Sequence, residues 1–132
     1  MSGIHHVGIA VDDLDAAIER YTSLFGATVE HRERLDEQGV EAASLRVGPS
    51  RIELLAPTGP DTPVGKFLAK RGPGMHHVAF EAVDVAAELA RLKAAGVELI
   101  DEEPRRGMFG LQVAFVHPEA TGGVLAEFVG DG

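Results

Sequence analysis

The tripeptide His-His-Val occurs twice in this 132-residue chain, at His5-His6-Val7 and at His76-His77-Val78, and each copy opens the same succession of features. An acidic residue, an amphipathic helical segment and a glycine follow. Each half then closes on an apolar stretch carrying one carboxylate: Glu53 in Ile52-Glu53-Leu54-Leu55 and Glu127 in Leu125-Ala126-Glu127-Phe128. Self-similarity on this scale constrains the chain to two copies of one structural unit, neither able to cover both faces of its own sheet.

Within each copy the strand period sorts the side chains. From His5 to Val11 the residues alternate, with His6, Gly8 and Ala10 on one face and His5, Val7, Ile9 and Val11 on the other. That is a period of two, hence a strand. Asp12-Asp13 supplies an N-cap, and Leu14, Ala17, Ile18, Tyr21, Leu24 and Phe25 recur at helical spacing until Gly26. Strands are then expected over 27–34, 40–47 and 51–55, separated by Glu37-Gln38-Gly39 and Gly48-Pro49-Ser50. The second half repeats the plan, with His77, Ala79 and Glu81 on one face and a helix from Asp84 to Gly96 with a Val85, Leu89, Leu92 stripe. Its remaining strands are expected at 97–101, 112–116 and 124–129. The reading is therefore an α+β single domain of two βαβββ modules, about 4–56 and 75–129. A Pro- and Gly-rich bridge at 57–74 joins them and contains a short helix near 64–70.

The His6 and His77 faces carry the small residues Gly8, Ala10 and Ala79, which leave room beside an imidazole; His5 and His76 are assigned to packing or support. If the two sheets meet about a pseudo-twofold axis, His6, Glu53, His77 and Glu127 converge. One buried carboxylate in an apolar run is costly without a partner, and four matched polar residues are hard to ascribe to accident. Imidazole plus carboxylate without sulfur suits a divalent ion such as Mn²⁺, Co²⁺, Fe²⁺, Ni²⁺ or Zn²⁺. Four protein ligands on an octahedral ion leave two adjacent positions for a chelating substrate. The formal charge of −9 argues against nucleic acid or an anionic membrane as the main partner. Cysteine is absent, which excludes disulfides and thiolate chemistry. With no signal-like or spanning apolar stretch, the expected location is the cytoplasm.

Several segments resemble one family. His6-Val7-Gly8-Ile9-Ala10-Val11, Glu53-Leu54-Leu55-Ala56-Pro57, Gly74-Met75-His76-His77-Val78, Asp101-Glu102-Glu103-Pro104-Arg105-Arg106-Gly107 and His117-Pro118 followed by Gly123-Val124-Leu125-Ala126-Glu127 are similar to the methylmalonyl-CoA epimerase family. That family lies within the vicinal oxygen chelate (glyoxalase/bleomycin-resistance-like) superfamily, and the resemblance runs from about Ile4 to Val129. It implies the paired-module fold, a small-molecule acyl-CoA substrate as partner, a homodimer, and one metal ion held by His6, Glu53, His77 and Glu127. Cobalt is the first expectation, then Mn²⁺, Ni²⁺ or Zn²⁺. It also implies the reaction: C2 of methylmalonyl-CoA loses a proton, a cation-stabilised enolate forms, and a proton returns on the opposite face.

Inversion needs proton donors on both faces of the enolate. The resemblance makes Glu127 one of them. In several members the other is a Glu on the third strand, three residues after the Gly of a Glu-Gln-Gly-Val turn. Here Glu37-Gln38-Gly39-Val40 is present, but the matching residue is Ala42. Glu41 is adjacent and by alternation faces the other way unless a bulge re-aims it; Gln112 or a bound water are the other candidates. Lys66, Lys70 and Arg71 in the bridge and Arg105-Arg106 near Gly107-Met108-Phe109-Gly110 are basic clusters suited to CoA phosphates, the latter loop having the make-up of a lid. Two other readings keep the same fold: a glyoxalase-type isomerase acting on a hemithioacetal, and a binding module without turnover, which would not need all four ligand positions filled.

Overall fold

The structure, a computed structural model, describes residues 1–131. Contacts divide the chain into two compact units, His6–His76 and Met1–His5 with the chain from His77 onward, called here the first and second halves.

The first half runs β1 (Gly3–Ala10), α1 (Leu14–Phe25), β2 (Thr28–Leu35), a 3-10 turn at Asp36–Gln38, β3 (Val40–Val47), β4 (Ser50–Pro57) and α2 (Pro63–Arg71). Asp13 caps α1 by accepting from the Ala16 amide at 3.1 Å, which satisfies one of the donors a helix start leaves open. Gly26 ends α1 at φ 67°, a left-handed conformation that a side chain would disfavour. The strand order is β2-β3-β4-β1, with β1 parallel to β4 and the other pairings antiparallel. Leu14 and Ala17 of α1 pack on Ala43, Leu45 and Leu54, with Ile9 and Ile52 beside them. That cluster defines the α1 face of the sheet. The opposite face carries the residues of alternate parity.

The second half has β5 (Gly74–Glu81), α3 (Val85–Ala94), β6 (Arg105–Arg106), a 3-10 turn at Met108–Gly110, β7 (Gln112–Val116), α4 (Pro118–Thr121) and β8 (Ala126–Gly130). Asp84 caps α3 through the Ala87 amide at 3.0 Å, as Asp13 caps α1. The order β5-β8-β7-β6 repeats that of the first half, with β5 parallel to β8. Val85 and Leu89 pack on Ala114, Val116, Ala126 and Phe128, while Ala79, Val113 and Val129 cluster on the other face.

One expected strand is replaced. Residues 97–101 keep only an isolated bridge, Leu99 to Val116, and the edge strand is the two-residue β6. The amides of Ile100 and Asp101 both donate to the Phe115 carbonyl, and the Asp101 carboxylate accepts the Phe115 amide at 2.9 Å. Asp101 thus takes up the donor a ladder would have used. Pro104 has no N–H to offer, so pairing resumes only at Arg105. No helix among the described residues is long and apolar enough to cross a membrane.

Candidate metal centre

In the first half, His6 on β1 is 4% exposed and its Nε2 lies 3.5 Å from Oε2 of Glu53 on β4. The register explains the meeting. Glu53 stands opposite Gly8, two residues beyond His6 on the same face, and glycine leaves the space between them clear. In the second half, His77 and Glu127 are 3% and 4% exposed, and Nε2 of His77 lies 3.3 Å from Oε1 of Glu127. Glu127 stands opposite Ala79, again two residues beyond the histidine and again a small residue. The two halves therefore build the same pair by the same register.

The donor chemistry fits a divalent metal. Ligand atoms about 2.0–2.2 Å from one ion are separated by roughly 3.0–3.5 Å across an octahedral or tetrahedral edge, the spacing seen in both pairs. Both histidines present Nε2, and a carboxylate buried beside an imidazole is stabilised by a cation more than by a neutral ring. Phe115 meets the His77 ring edge-on, with centroids 5.4 Å apart, and restricts its rotation. His76 points elsewhere, edge-on to Phe67 of α2 at 5.0 Å.

The other expected site residues are scattered. Glu41 pairs with Ala56, which packs on the α1 core, and accepts from Arg32 at 3.0 Å; Arg32 also reaches Asp15 of α1 at 2.6 Å. These two carboxylates raise the Arg32 pKa, Asp15 contributing more. Glu41 therefore lies on the α1 face and not with Glu53: the only register shift in β2–β3 is between Val29 and His31, too far away to re-aim it. Gln112 pairs with Gly130, in the parity of the α3 face, and does not share the face of Glu127. Arg105 pairs with Val113 on the Glu127 face and its Nε lies 3.2 Å from Asp101 Oδ1, whereas Arg106 has the opposite parity. Lys66 and Lys70 are exposed, one turn apart on α2. The proposed lid holds Phe109 at φ 63°, a conformation a non-glycine residue adopts only when its surroundings impose it.

Sequence reading passed over residues on the Glu53 face. Ser44 pairs with Glu53 and is 2% exposed, and its hydroxyl donates to Glu30 at 3.1 Å. Burial opposes ionisation of Glu30, but hydrogen bonds from Arg51 and Ser44 and the charges of Arg51 and Arg46 outweigh it and hold this carboxyl below the usual range. His31 and Glu33 alternate with Arg32 along β2, a His-x-Glu spacing that period two places on one face; His31 Nε2 lies 2.9 Å from Glu33 Oε1.

Residues 5–115 match the model of the Glyoxalase/Bleomycin resistance protein/Dioxygenase superfamily. The ethylmalonyl-CoA/methylmalonyl-CoA epimerase of Cereibacter sphaeroides is 37% identical, with 94% of each chain covered. The chain belongs to this superfamily and, within it, to the methylmalonyl-CoA epimerase family. Its backbone agrees with that of relatives as closely as the sequence implies. The crystal structure of methylmalonyl-CoA epimerase from Mycobacterium tuberculosis is 42% identical at a TM-score of 0.94, covering 98% of this chain and 88% of that one. A methylmalonyl-CoA epimerase solved with methylmalonyl-CoA and NH4+ is 44% identical at a TM-score of 0.95, covering 99% and 95%. The fold of this epimerase-family chain is accordingly the paired-module vicinal oxygen chelate fold.

Proposed function

We propose that this protein epimerises C2 of methylmalonyl-CoA, with His6, Glu53, His77 and Glu127 together holding one divalent cation, cobalt or manganese by preference. The observation that carries the reading is the duplicated His–Glu pair, built twice by the same register, with His6, His77 and Glu127 buried and Glu53 13% exposed. A cation held there supplies Lewis-acid stabilisation of negative charge developing on a carbonyl oxygen. The relatives named as epimerases of this substrate support the choice of reaction.

The chain's own residues then divide the work. His6 and His77 present their Nε2 atoms, and Phe115 keeps the His77 ring in the required orientation. Glu127 exchanges the C2 proton; with Oε1 directed at His77, we assign that exchange to Oε2. Arg105, on the Glu127 face, and Arg106, Lys66 and Lys70, at the surface, are the cations assigned to the anionic groups of the acyl-CoA. The test is to incubate the protein, loaded with Mn²⁺ or Co²⁺, with one methylmalonyl-CoA epimer in D₂O and follow C2 by NMR. Deuterium incorporation with racemisation is expected; no exchange above background overturns the proposal.

A further inference from the structure

Inversion at C2 requires two proton-transfer groups, and the sheet of the first half narrows the second to one residue. Its described strands carry three carboxylates with the parity or partners of the face opposite α1: Glu30, Glu33 and Glu53. Glu53 belongs to the metal pair. Glu30 is engaged by Ser44, by Arg51 at 2.9 Å and by Arg46 at 3.6 Å, and those contacts favour its ionised form, which makes it a poor proton donor. Glu33 differs. A partner is the His31 imidazole, whose two ring nitrogens can both give and accept a proton, where a guanidinium only donates.

Register places Glu33 well. Successive rows across the sheet read His31, Ser44, Glu53, Gly8 and then Glu33, Ala42, Leu55, Ala10. Glu33 is thus one row and two strands from Glu53 on the same face and directly beside Ala42, with β-carbons about 4.5–5.5 Å apart in the Glu33–Ala42 pair. Ala42 carries only a methyl group, fully buried, so nothing on β3 competes with the Glu33 carboxylate for the space above it. Glu33 itself is 18% exposed and His31 37%, which gives the pair a path to solvent.

We propose that Glu33 is the second acid/base of the epimerase, with His31 as the positioning residue that exchanges its proton with solvent. This rests on the epimerase reading above. One carboxylate removes the C2 proton; the C–H electron pair moves into the adjacent carbonyl to give the enolate. The other residue, entering as the carboxylic acid, delivers its proton to the opposite face of C2 and leaves as carboxylate. After one inversion Glu127 holds a proton and Glu33 has lost one; before the next turnover Glu127 releases its proton to solvent, and His31 relays a solvent proton to Glu33 through Nε2.

Glu33→Gln tests this with each epimer separately in D₂O, the protein loaded with Mn²⁺ and its metal content and melting temperature measured alongside. The unsubstituted protein is expected to exchange and invert both epimers; if it exchanges neither, the epimerase reading fails and this assignment with it. Glu33→Gln is expected to lose inversion by roughly 10²–10⁴-fold while binding metal normally. It should still exchange C2 hydrogen with retention in one epimer, the one served by Glu127. Glu33→Ala with added formate is expected to regain inversion in proportion to formate. Inversion within about threefold of the unsubstituted rate in Glu33→Gln, or equal loss of exchange from both epimers, overturns the assignment.

Discussion

The two halves share a strand order, a capped helix and a His–Glu pair in matching register, yet they diverge at the strand farthest from the histidine. In the first half this is the eight-residue β2; in the second it is the two-residue β6. The divergence is chemical at one equivalent position. Glu33 stands opposite Ala42, whose neighbour across the sheet is Leu55; Arg105 stands opposite Val113, whose neighbour is Val129. One half places a carboxylate where the other places a guanidinium. On the proposed function, both copies keep a His–Glu pair for the metal while the edges differ, one offering a carboxylate for proton transfer and the other a guanidinium for an anionic group.

If the halves are equivalent as ligand carriers, His6→Ala and His77→Ala should weaken metal binding alike. Each is expected to cost more than about a hundredfold in affinity, since even groups that only support a ligand are worth roughly 10–100-fold. Calorimetry or metal analysis reads this directly, and full stoichiometry in either variant removes that histidine from the site. A second, smaller contrast concerns packing. The residue three beyond the carboxylate is Ala56 in the first half and Gly130 in the second. A β-carbon on Gly130 would lie 2.2 Å from the Ala82 carbonyl oxygen, a backbone atom that cannot step aside cheaply, whereas Ala56 packs against the core. Gly130→Ala is expected to destabilise by about 1–3 kcal/mol. Ala56→Gly should cost only about 0.5–1 kcal/mol. Equal losses in urea titrations would show that the close approach at Gly130 is not built in.

Much of this is legible in the sequence alone. Period two divided His5 from His6 and His76 from His77, and the small residues Gly8 and Ala79 marked the face with room for a ligand. The same parity placed Glu41 on the helix side, where it pairs with Arg32. What alternation cannot carry is the offset between strands. The pairing of Leu35 with Val40 beside the turn sets which residue of β2 faces Ala42, and without it Glu33 is one acidic residue among 21. The second half misled for another reason. Val97, Leu99 and Asp101 alternate acceptably, but the Asp101 side chain competes for the Phe115 amide and shortens the ladder.

Two further contrasts lie beside the carboxylates. Ser44 is the residue paired with Glu53, and Phe115 the residue paired with Glu127. Phe115→Ala removes a ring that holds His77 and is expected to cost about 3 kcal/mol, with weaker metal binding. Ser44→Ala removes one hydrogen bond to Glu30 and is expected to cost about 1 kcal/mol with metal binding retained. Thermal melts with and without Mn²⁺ separate the two; a Ser44→Ala variant that loses metal binding would mean the polar row of the first half supports Glu53 directly.

The smallest effect is the pH dependence of the Glu30 cluster, which the second half does not duplicate at the matching place. Arg51, Ser44 and Arg46 hold the Glu30 carboxyl below the usual carboxylate range. A group whose pKa is lower folded than unfolded contributes stability that is fully present above the unfolded value and disappears as pH falls through the folded one. Glu30→Gln is therefore expected to lower stability at pH 7 by under about 1 kcal/mol, the cluster being partly solvated. The difference from the unsubstituted protein should shrink as pH falls below about 4.3 and vanish once Glu30 is protonated in both states. The sign is diagnostic. A gap that widens in acid would mean that Glu30 enters the folded state protonated, which would make it, rather than Glu33, the stronger proton donor on the Glu53 face.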